Sequence, residues 1–448
     1  MIIGGKPGCN PAESSLKATD SKLHTISEFI IHSEIDNYNL YKLLEFCKQS
    51  KITHKLHGFA EKYTPVVSAA RKPAPQSGIR AFLKEISNKN NTKNSSQQVE
   101  EKGEIIQAQP LVHILALLEC LTSHNSDGRI VCTRQPTVGK ATIKYLLLNP
   151  APMFAEIMEK ARSVILAGGT MQPVSEFTQQ LFQVPETSRF TMFSCGHVIP
   201  RENILPLVLC QGPSGTTFDF SFQSRSSQAV LNEFGRLLGN ICNIIPGGVV
   251  CFFPSYEYEN EVYQHLDKNG TMEKISLKKR VFREPKKSSQ VDSVLLDYAK
   301  TINQAKKNLL MNYIFSLGGK LSEGLNFSDE LGRCVMVVGM PYPNIKSPEL
   351  QEKMSYLERH VGVGAGRIHY ENLCMKAVNQ SIGRAVRHIG DYAAMLLVDH
   401  RYAKENICKQ LPTWIAESLQ IQERFGPAIG QIVKVGIKFQ YFTILSLF

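Results

Sequence analysis

The sequence predicts an α/β protein with a doubly wound parallel sheet, preceded by a helical region. From about residue 110 onward, short apolar runs alternate with amphipathic stretches, as strands joined by crossover helices require. The runs are apolar at consecutive positions, which is typical of strands covered on both faces. Apolar residues make up 43% of the 448 residues, so the chain has enough apolar side chains for the cores of two or three domains.

The region before the sheet is predicted to be helical over residues 1–84. In its clearest helix Asp36 is the expected N-cap, and apolar side chains follow at helical spacing at Leu40, Leu43, Leu44 and Cys47. Residues 84–104 are rich in Asn, Ser, Lys, Gln and Glu, so they have little to bury. We expect that segment to be a disordered loop.

Local signals then predict each element of the α/β part in turn. The strongest strand signal is at residues 249–253, five apolar residues that follow two glycines and end at Pro254. Ser255 is expected to cap the next helix, because acidic residues in the first turn follow it. The other predicted helices lie at residues 111–121, 152–161 and 371–388, and the other predicted strands at residues 129–133, 163–167, 313–317, 334–339 and 393–399.

Charge and cysteine usage narrow the functional class. The net charge of +11 favours a polyanionic partner. The 11 cysteines include no C-x-x-C pair, which argues against a zinc ribbon or an iron–sulfur run within this sequence and indicates reduced thiols. The start of the chain does not resemble a signal peptide, and no apolar run is long enough to span a membrane, so we expect no membrane association.

The strongest candidate site lies on the helix predicted at residues 371–388. At 100° per residue, Gln380, Arg384 and Arg387 fall within an arc of about 60°, on the side away from the helix's own core. Two guanidinium groups aimed at one point suit the oxygens of a transferring phosphoryl group. Gly383 would cost about 1 kcal/mol inside a helix, which favours a close approach to the backbone there. The alternative is a solvated cationic helix face.

Two glycine-containing turns are further candidates. The turn after the strand at residues 313–317 contains Gly318, Gly319, Lys320, Ser322, Glu323 and Gly324. Its backbone N–H groups suit a phosphate or ribose, but glycines also serve in plain flexible connections. Gly169 and Thr170 follow the strand predicted at residues 163–167, where they either transmit a geometric signal or form an ordinary strand-to-helix turn.

A basic run covers residues 274–287, with seven basic residues, one acid and Phe282. Lys278, Lys279 and Arg280 are candidate contacts to a nucleic-acid backbone, with Phe282 stacked on a base. An exposed helical face or loop is the alternative. The sequence contains neither a G-x-x-x-x-G-K-[ST] loop nor a D-E-A-H stretch, and we predict no metal ligands.

Taken in order, five segments resemble motifs III to VI of the XPD-type iron–sulfur helicases of superfamily 2. They are LAGGTMQP (166–173), GGVVCFFPSYEY (247–258), GGKLSEGLNFSDELGRC (318–334), VGMPYPN (338–344) and QSIGRAVRH (380–388). FSCGHVIP (193–200), LPTWI (411–415) and RFGPAI (424–429) most resemble the branch linked to sister-chromatid cohesion. The similarity covers roughly residues 20–429.

The resemblance implies RecA-like motor domains that bind ATP and Mg²⁺ between them and translocate 5′ to 3′ on single-stranded DNA. Arg384 and Arg387 would be the catalytic arginine pair of motif VI. The nucleotide-side residues would be Gln380, Gly383, Glu323 and Gly324, and the coupling and DNA-side residues Gly169, Thr170, Ser322, Lys320, Lys278, Lys279 and Arg280. The 4Fe–4S cluster belongs to the full-length family, and its ligands are absent here.

The resemblance also implies a domain organisation. Residues 1–109 would be the latter part of an arch insertion, residues 110–185 the end of the first motor domain, and residues 186–429 the second motor domain. Residues 430–448 would be a divergent apolar tail. The Walker A loop, the DEAH box and the cluster cysteines would lie upstream of Met1, so we expect this chain alone to be inactive.

We therefore expect a segment of a nuclear ATP-dependent DNA helicase. Its expected partners are single-stranded or forked DNA, ATP, and cohesion and replication-fork proteins. The alternative is an inactive pseudohelicase fragment that binds single-stranded DNA or a cohesion partner. A small-molecule enzyme on the same fold is disfavoured, because no acid/base pair stands out in the sequence.

Overall fold

The structure, a computed structural model, forms two compact units, Met1–Leu148 and Asn149–Phe448. The domain boundaries predicted at residues 109 and 185 do not coincide with this division and stay predictions. The described residues are 20–55, 110–123, 125–134, 141–168, 171–174, 176–182, 190–193, 195–285, 291–305, 312–317, 327 and 329–434.

The first unit contains a three-stranded antiparallel sheet in the order β1-β2-β3. Its strands are β1 (Asp20–Thr25), β2 (Gly128–Arg134) and β3 (Thr142–Leu147). Its helices are α1 (Ile26–His32), α2 (Leu40–Ser50), α3 (Ile52–Lys55) and α4 (Pro110–Thr122). A small core forms where Phe29 of α1, Leu121 of α4 and Ile130 of β2 meet.

Two expectations for this unit are wrong. The α2 helix begins after Asn39, whose side chain accepts a hydrogen bond from the Lys42 N–H at 3.0 Å, so Asp36 is not its cap. The helical prediction for residues 1–84 also missed β1, because its six residues include a single large apolar side chain, Leu23, and so show no apolar alternation. The loop predicted at residues 84–104 lies outside the described residues.

The second unit is built on seven parallel strands in the order β10-β4-β9-β8-β5-β7-β6. Their bounds are β4 (Ile204–Leu209), β5 (Gly248–Phe252), β6 (Lys279–Arg283), β7 (Asn312–Leu317), β8 (Cys334–Val338), β9 (Ala393–Val398) and β10 (Gln420–Gln422). The strands predicted at residues 249–253, 313–317, 334–339 and 393–399 are thereby confirmed.

Helices cover both faces of this sheet, so the predicted doubly wound α/β fold is confirmed. Side chains of β5 alternate between two cores: Val250 packs in one with α9 and α11, and Val249 packs in the other with α6 and α7. The helices are α5 (Ala151–Lys160), α6 (Gln228–Ile244), α7 (Tyr256–Lys268), α8 (Thr271–Ser276), α9 (Val291–Ala305), α10 (Pro348–His360), α11 (Ala365–Ile382), α12 (Glu405–Cys408) and α13 (Thr413–Ala416).

The structure confirms some local predictions and overturns others. Ser255 caps α7, accepting a hydrogen bond from the Tyr258 N–H at 3.2 Å. The predicted strand at residues 129–133 exists as β2, but it belongs to the antiparallel sheet. Residues 163–167 form no strand, and Ile165 in that segment is 85% exposed, so the apolar run there is not buried by a neighbouring strand. Among the described residues, no helix has the length and apolar character needed to cross a membrane.

Candidate active site

Arg384 and Arg387 lie in a turn between α11 and β9. The α11 helix ends at Ile382, and Gly383 is its C-cap with an ordinary φ of −62°. The prediction of a helix over residues 371–388 is therefore wrong after residue 382. The prediction that Gln380, Arg384 and Arg387 share one helical arc is wrong for the same reason. Gly383 is not inside a helix, so the argument for a close approach there also fails.

The chain leaves the helix because its next side chains belong to the core. Ala385 and Val386 are buried at 0% and 2% exposure in the cluster on the α11 face of the sheet. Short turn hydrogen bonds replace the helical ones, with the Ala385 N–H donating to the Ile382 carbonyl at 3.0 Å. With Ala385 and Val386 packed in the core, the Arg384 side chain is half-buried and the Arg387 side chain is exposed.

This turn lies at the amino-terminal edge of the parallel sheet, directly before β9. Ligand sites of open α/β sheets usually lie at the other edge, after the strands. Arg384 and Arg387 depart from that general rule, because they precede β9. The glycine-rich segment that follows β7 in the sequence lies outside the described residues.

Asp391 is the residue that holds this turn in place, and it is fully buried. One carboxylate oxygen accepts a hydrogen bond from the Arg387 backbone N–H at 3.0 Å. The other accepts from Arg333 Nη1 at 2.7 Å and from the Tyr392 N–H at 2.9 Å. The backbone of Arg387 is therefore fixed by a carboxylate that has no exposure to solvent.

Arg333, just before β8, is the cation that compensates Asp391, and its side chain is only 5% exposed. Its guanidinium also bonds both oxygens of Glu330, at 3.2 and 3.1 Å, and lies 3.7 Å from the ring centre of Tyr392. Burial alone would lower the pKa of Arg333, but Glu330, Tyr392 and Asp391 raise it overall. Arg333 and Asp391 therefore form a buried ion pair that supports the arginine turn.

His388 and Asp329 form a second, exposed contact at the same edge. His388 Nε2 lies 2.8 Å from Asp329 Oδ1. Together with Asp391 they bring ligand atoms within 4.8 Å of one another, the one such group in the described part of the chain. Arg333 already compensates the charge of Asp391, so this cluster does not require a metal ion.

The side chains of this turn fit a nucleotide phosphate better than an iron–sulfur cluster. Gln380 on the last turn of α11, and Arg384 and Arg387 in the turn that follows, all carry N–H donors, which suit phosphate oxygens. Among the described residues no three cysteines come together as cluster ligands. Burial instead raises the pKa of thiols such as Cys242, to about 12. The described residues therefore do not fit an iron–sulfur cluster.

Six of the predicted site residues cannot be placed against these groups. They lie outside the described residues: Gly169, Thr170, Lys320, Ser322, Glu323 and Gly324. Their proposed roles stay predictions.

The basic run at residues 274–287 is neither wholly a nucleic-acid contact surface nor wholly an exposed helical face or loop, because part of it is buried. Lys279 begins the edge strand β6 and is 1% exposed, with Nζ donating to the Ile245 and Gly247 carbonyls at 2.9 Å each. Burial lowers its pKa to about 8. The predicted nucleic-acid contact by Lys279 is therefore wrong, because its amine caps the chain leaving α6.

The stacking role of Phe282 is wrong for the same reason. Its side chain is 8% exposed and packs edge-on against Tyr298, with 5.4 Å between ring centres. Lys278 and Arg280 are exposed, so their nucleic-acid contacts stay predictions. They sit at the same edge as the arginine turn, but β6 and β9 are four strands apart, about 19 Å at the usual strand spacing.

At the opposite end of β9, Asp399 forms a second buried carboxylate site. Arg401 donates to it from Nε and Nη2 at 2.8 and 2.7 Å, and the Phe220 N–H donates to Oδ2 at 3.1 Å. Sequence reasoning singled out neither Asp391 nor Asp399. The signal was present, because an acidic residue flanks each end of a fully buried strand, where a charge requires a partner.

Comparison with known proteins defines the class first. Residues 238–418 match the helicase C-terminal domain family. The matched segment contains β5 to β9 of the parallel sheet, so this part of the chain is similar to a helicase C-terminal domain.

The relatives then define the group. ATP-dependent DNA helicase DDX11 from Danio rerio is 49% identical over 444 residues, covering 96% of this chain and 50% of the relative. The DDX11 helicase from Mus musculus is 45% identical over 450 residues, covering 97% and 49%. The chl1 helicase from Aspergillus clavatus is 37% identical over 436 residues, covering 92% and 54%. Over the matched length, the chain is therefore similar to ATP-dependent DNA helicases named DDX11 and chl1, and this similarity confirms the predicted resemblance.

The chain spans about half the length of the relatives it matches. Two solved structures are also similar. An XPD helicase structure covers 90% of this chain and 65% of its own, with a TM-score of 0.46 and 16% identity. The S. tokodaii Xpd4 structure covers 90% and 72%, with a TM-score of 0.42 and 14% identity.

Proposed function

We propose that this chain supplies the second motor domain of an ATP-dependent DNA helicase that acts in the nucleus, in chromosome cohesion and genome maintenance. The observation that carries the proposal is the arginine turn: within a helicase C-terminal domain, Asp391 holds the backbone of Arg387 at 3.0 Å. A donor that is positioned before the substrate binds requires little reorganisation during the reaction.

In this proposal Arg384 and Arg387 stabilise the charge that develops on the γ-phosphate, and Gln380 orients the same phosphate. Mg²⁺ bound with ATP would neutralise charge on the β- and γ-phosphate oxygens. Glu323 and Gly324 are proposed to lie near the nucleotide. Closure of the motor domains would then move single-stranded DNA, 5′ to 3′, by one step per hydrolysis.

The coupling residues of the proposal are Gly169, Thr170, Lys320 and Ser322. Motif III and motif V would link the nucleotide to the DNA, which is expected to be single-stranded or forked. Cohesion and replication-fork proteins are the proposed protein partners. The 4Fe–4S cluster would be held by parts of a full-length helicase other than the described residues.

A chimera tests the catalytic proposal. Residues 20–429 would replace the matching half of the Danio rerio relative, whose name describes an ATP-dependent DNA helicase. We expect DNA-stimulated ATP hydrolysis in the chimera and a loss of about a thousandfold or more in Arg387→Ala. Arg424→Ala, a change outside the turn, is the control and should leave the rate unchanged.

The proposal fails if the chimera folds and hydrolyses ATP equally well with and without Arg387. For the chain alone we expect no ATP hydrolysis and no unwinding, because the sequence has no Walker A loop. DNA-stimulated hydrolysis by the purified chain that disappears in Arg387→Ala would overturn that expectation.

A second candidate function is a pseudohelicase fragment that binds single-stranded DNA or a cohesion partner. The net charge of +11 favours it. A salt titration of DNA binding by the purified chain distinguishes the two. Affinity that barely changes between low and physiological salt means few phosphate contacts, and the DNA-binding candidate is then excluded.

A further inference from the structure

A polar groove of about 550 Å³ opens on the surface of the second unit, between α6 and α8. One face of α6 forms one wall, and α8 with the turn before it forms the other. A Cβ added at Gly239 would meet no atom within 4 Å, so the floor is open there. Four asparagines and two lysines are among the polar residues that line it: Asn232, Asn240, Asn243, Asn269, Lys274 and Lys278.

The dimensions of the groove suit an extended chain. From Asn232 to Asn243 the α6 wall advances eleven residues, about 16 Å at 1.5 Å per residue. An extended peptide advances about 3.3 Å per residue, so about five residues fit along this wall. The groove is therefore long enough for a short linear segment of another protein.

The charge of the groove is positive. Lys274 and Lys278 are exposed, and neither has an ion-pair partner in the described part of the chain. Arg236 also lines the groove, but the buried Glu233 compensates it at 2.5 Å. No aspartate or glutamate is among the lining residues. An anionic ligand is therefore favoured.

The side-chain amides distinguish a peptide from a nucleic acid. A carboxamide both donates and accepts hydrogen bonds, as a peptide group does, whereas a phosphodiester only accepts. The amides of Asn240 and Asn243 make no hydrogen bond to any described residue, while Asn269 Nδ2 already donates to Asn232 Oδ1 at 3.2 Å. The lining includes no aromatic ring on which a base would stack.

We propose that this groove binds an extended acidic peptide segment of a partner protein. The amides of Asn240 and Asn243 pair with the peptide backbone, and Lys274 and Lys278 pair with its carboxylates. This assigns part of the basic run to a protein partner rather than to DNA. The site is separate from the arginine turn and does not depend on Arg384 or Arg387.

Fluorescence anisotropy with the full chain tests the proposal. The probes are a fluorescein-labelled nine-residue peptide pool with Asp, Glu, Leu and Ser at five central positions, and a matched pool with Asn and Gln in place of the acids. Labelled (dT)20 is the third probe. We expect the acidic pool to bind at least tenfold more tightly than the amide pool. We expect Lys274→Glu with Lys278→Glu to abolish that difference, and Asn240→Leu with Asn243→Leu to weaken the acidic pool at least threefold.

Lys300→Glu with Lys346→Glu, two exposed changes outside the groove, is the control matched in net charge and should leave binding unchanged. Thermal melts of every variant verify folding. The proposal is overturned if the acidic pool binds no better than the amide pool, or if the Asn variants bind the acidic pool as the unmodified chain does. It is also overturned if the two lysine changes weaken (dT)20 binding but not peptide binding, because the groove is then a nucleic-acid site.

Discussion

The position of Arg387 depends on a carboxylate that solvent does not reach. Asp391 is 0% exposed, and its charge is compensated by Arg333, which is 5% exposed on its side chain and also pairs with Glu330. We predict that Asp391→Ala lowers the free energy of unfolding by about 3 kcal/mol, because it leaves the Arg333 charge without that partner. Urea denaturation measures the change.

The matched control for that prediction is Asp329→Asn. Asp329 pairs with His388 at 2.8 Å, but both side chains are about half exposed, at 51% and 53%. An exposed pair contributes at most about 1 kcal/mol. Equal losses in the two variants would show that Asp391 is not a buried support.

Lys279 makes stability depend on pH in a defined direction. Its pKa in the folded chain is about 8, below the ordinary 10.5. Between these values the unfolded chain holds the extra proton, so this group's contribution to the free energy of unfolding rises with pH. We predict that the stability of the unmodified chain relative to Lys279→Met increases by about 2 kcal/mol from pH 7 to pH 10.

Urea denaturation of both proteins at several pH values measures this difference. The subtraction removes the contributions of other titrating groups, since both chains share them. Lys279→Met also leaves the Ile245 and Gly247 carbonyls without their donor, which should cost about 1 to 3 kcal/mol at any pH. A relative stability that is flat across this range would contradict a lysine with a lowered pKa.

At this scale the sequence identified residue types better than their surroundings. Arg384 and Arg387 were singled out as candidates, but the helical arc that was expected to contain them assumed a helix that in fact ends at Ile382. Lys279 was taken for a surface charge, because periodicity carries no information about a long side chain that turns inward to two carbonyl groups. Burial of a charge depends on a distant partner, and the linear sequence does not contain that distance.

Among elements, the N-caps of α7 and α10 allow a controlled comparison. Ser255 accepts the Tyr258 N–H at 3.2 Å, whereas Ser347, the N-cap of α10, makes no such hydrogen bond. We predict that Ser255→Ala lowers the free energy of unfolding by about 1 kcal/mol and that Ser347→Ala leaves it nearly unchanged. Thermal and urea denaturation measure both. Equal effects would mean that the cap hydrogen bond does not stabilise α7.

The elements that were predicted correctly are those whose signal is local. β5, β8 and β9 are apolar at every position and buried at every position, so five or six residues suffice to identify them. β1 has no such run, since its strand character comes from pairing with β2, more than 100 residues away. The end of α11 was missed because Ala385 and Val386 leave the helix to reach the core.

For the whole molecule, both large cores lie within the second unit. Their buried members run from Ile199 to Ile432, and none comes from the first unit. We predict that a fragment of residues 149–434 folds alone, with one cooperative thermal transition. Trp414, the chain's one tryptophan, packs on His197 with 4.3 Å between ring centres, so its fluorescence reports on this unit. A fragment without a cooperative fluorescence transition would contradict the prediction.

At this scale the fold class and the resemblance to helicases were predictable, whereas the support of the arginine turn was not. Alternating strands and helices indicated the parallel sheet, and the ordered motifs indicated a helicase. The order of the predicted elements also placed the arginines before the strand at residues 393–399. The ion pair that supports their turn joins Asp391 to Arg333, which is 58 residues away in the chain, so no local pattern indicates it.

β9 is a central strand that connects two buried carboxylates, Asp391 before it and Asp399 after it. The strand has six buried residues, which span about 20 Å of extended chain between the segment bonded to Asp391 and the segment bonded to Asp399. It pairs with β4 on one side and with β8 on the other. Such a strand neither stretches nor rotates easily. We therefore expect a displacement of the Arg387 main chain to be transmitted along β9 to the Phe220 backbone with nearly the same amplitude.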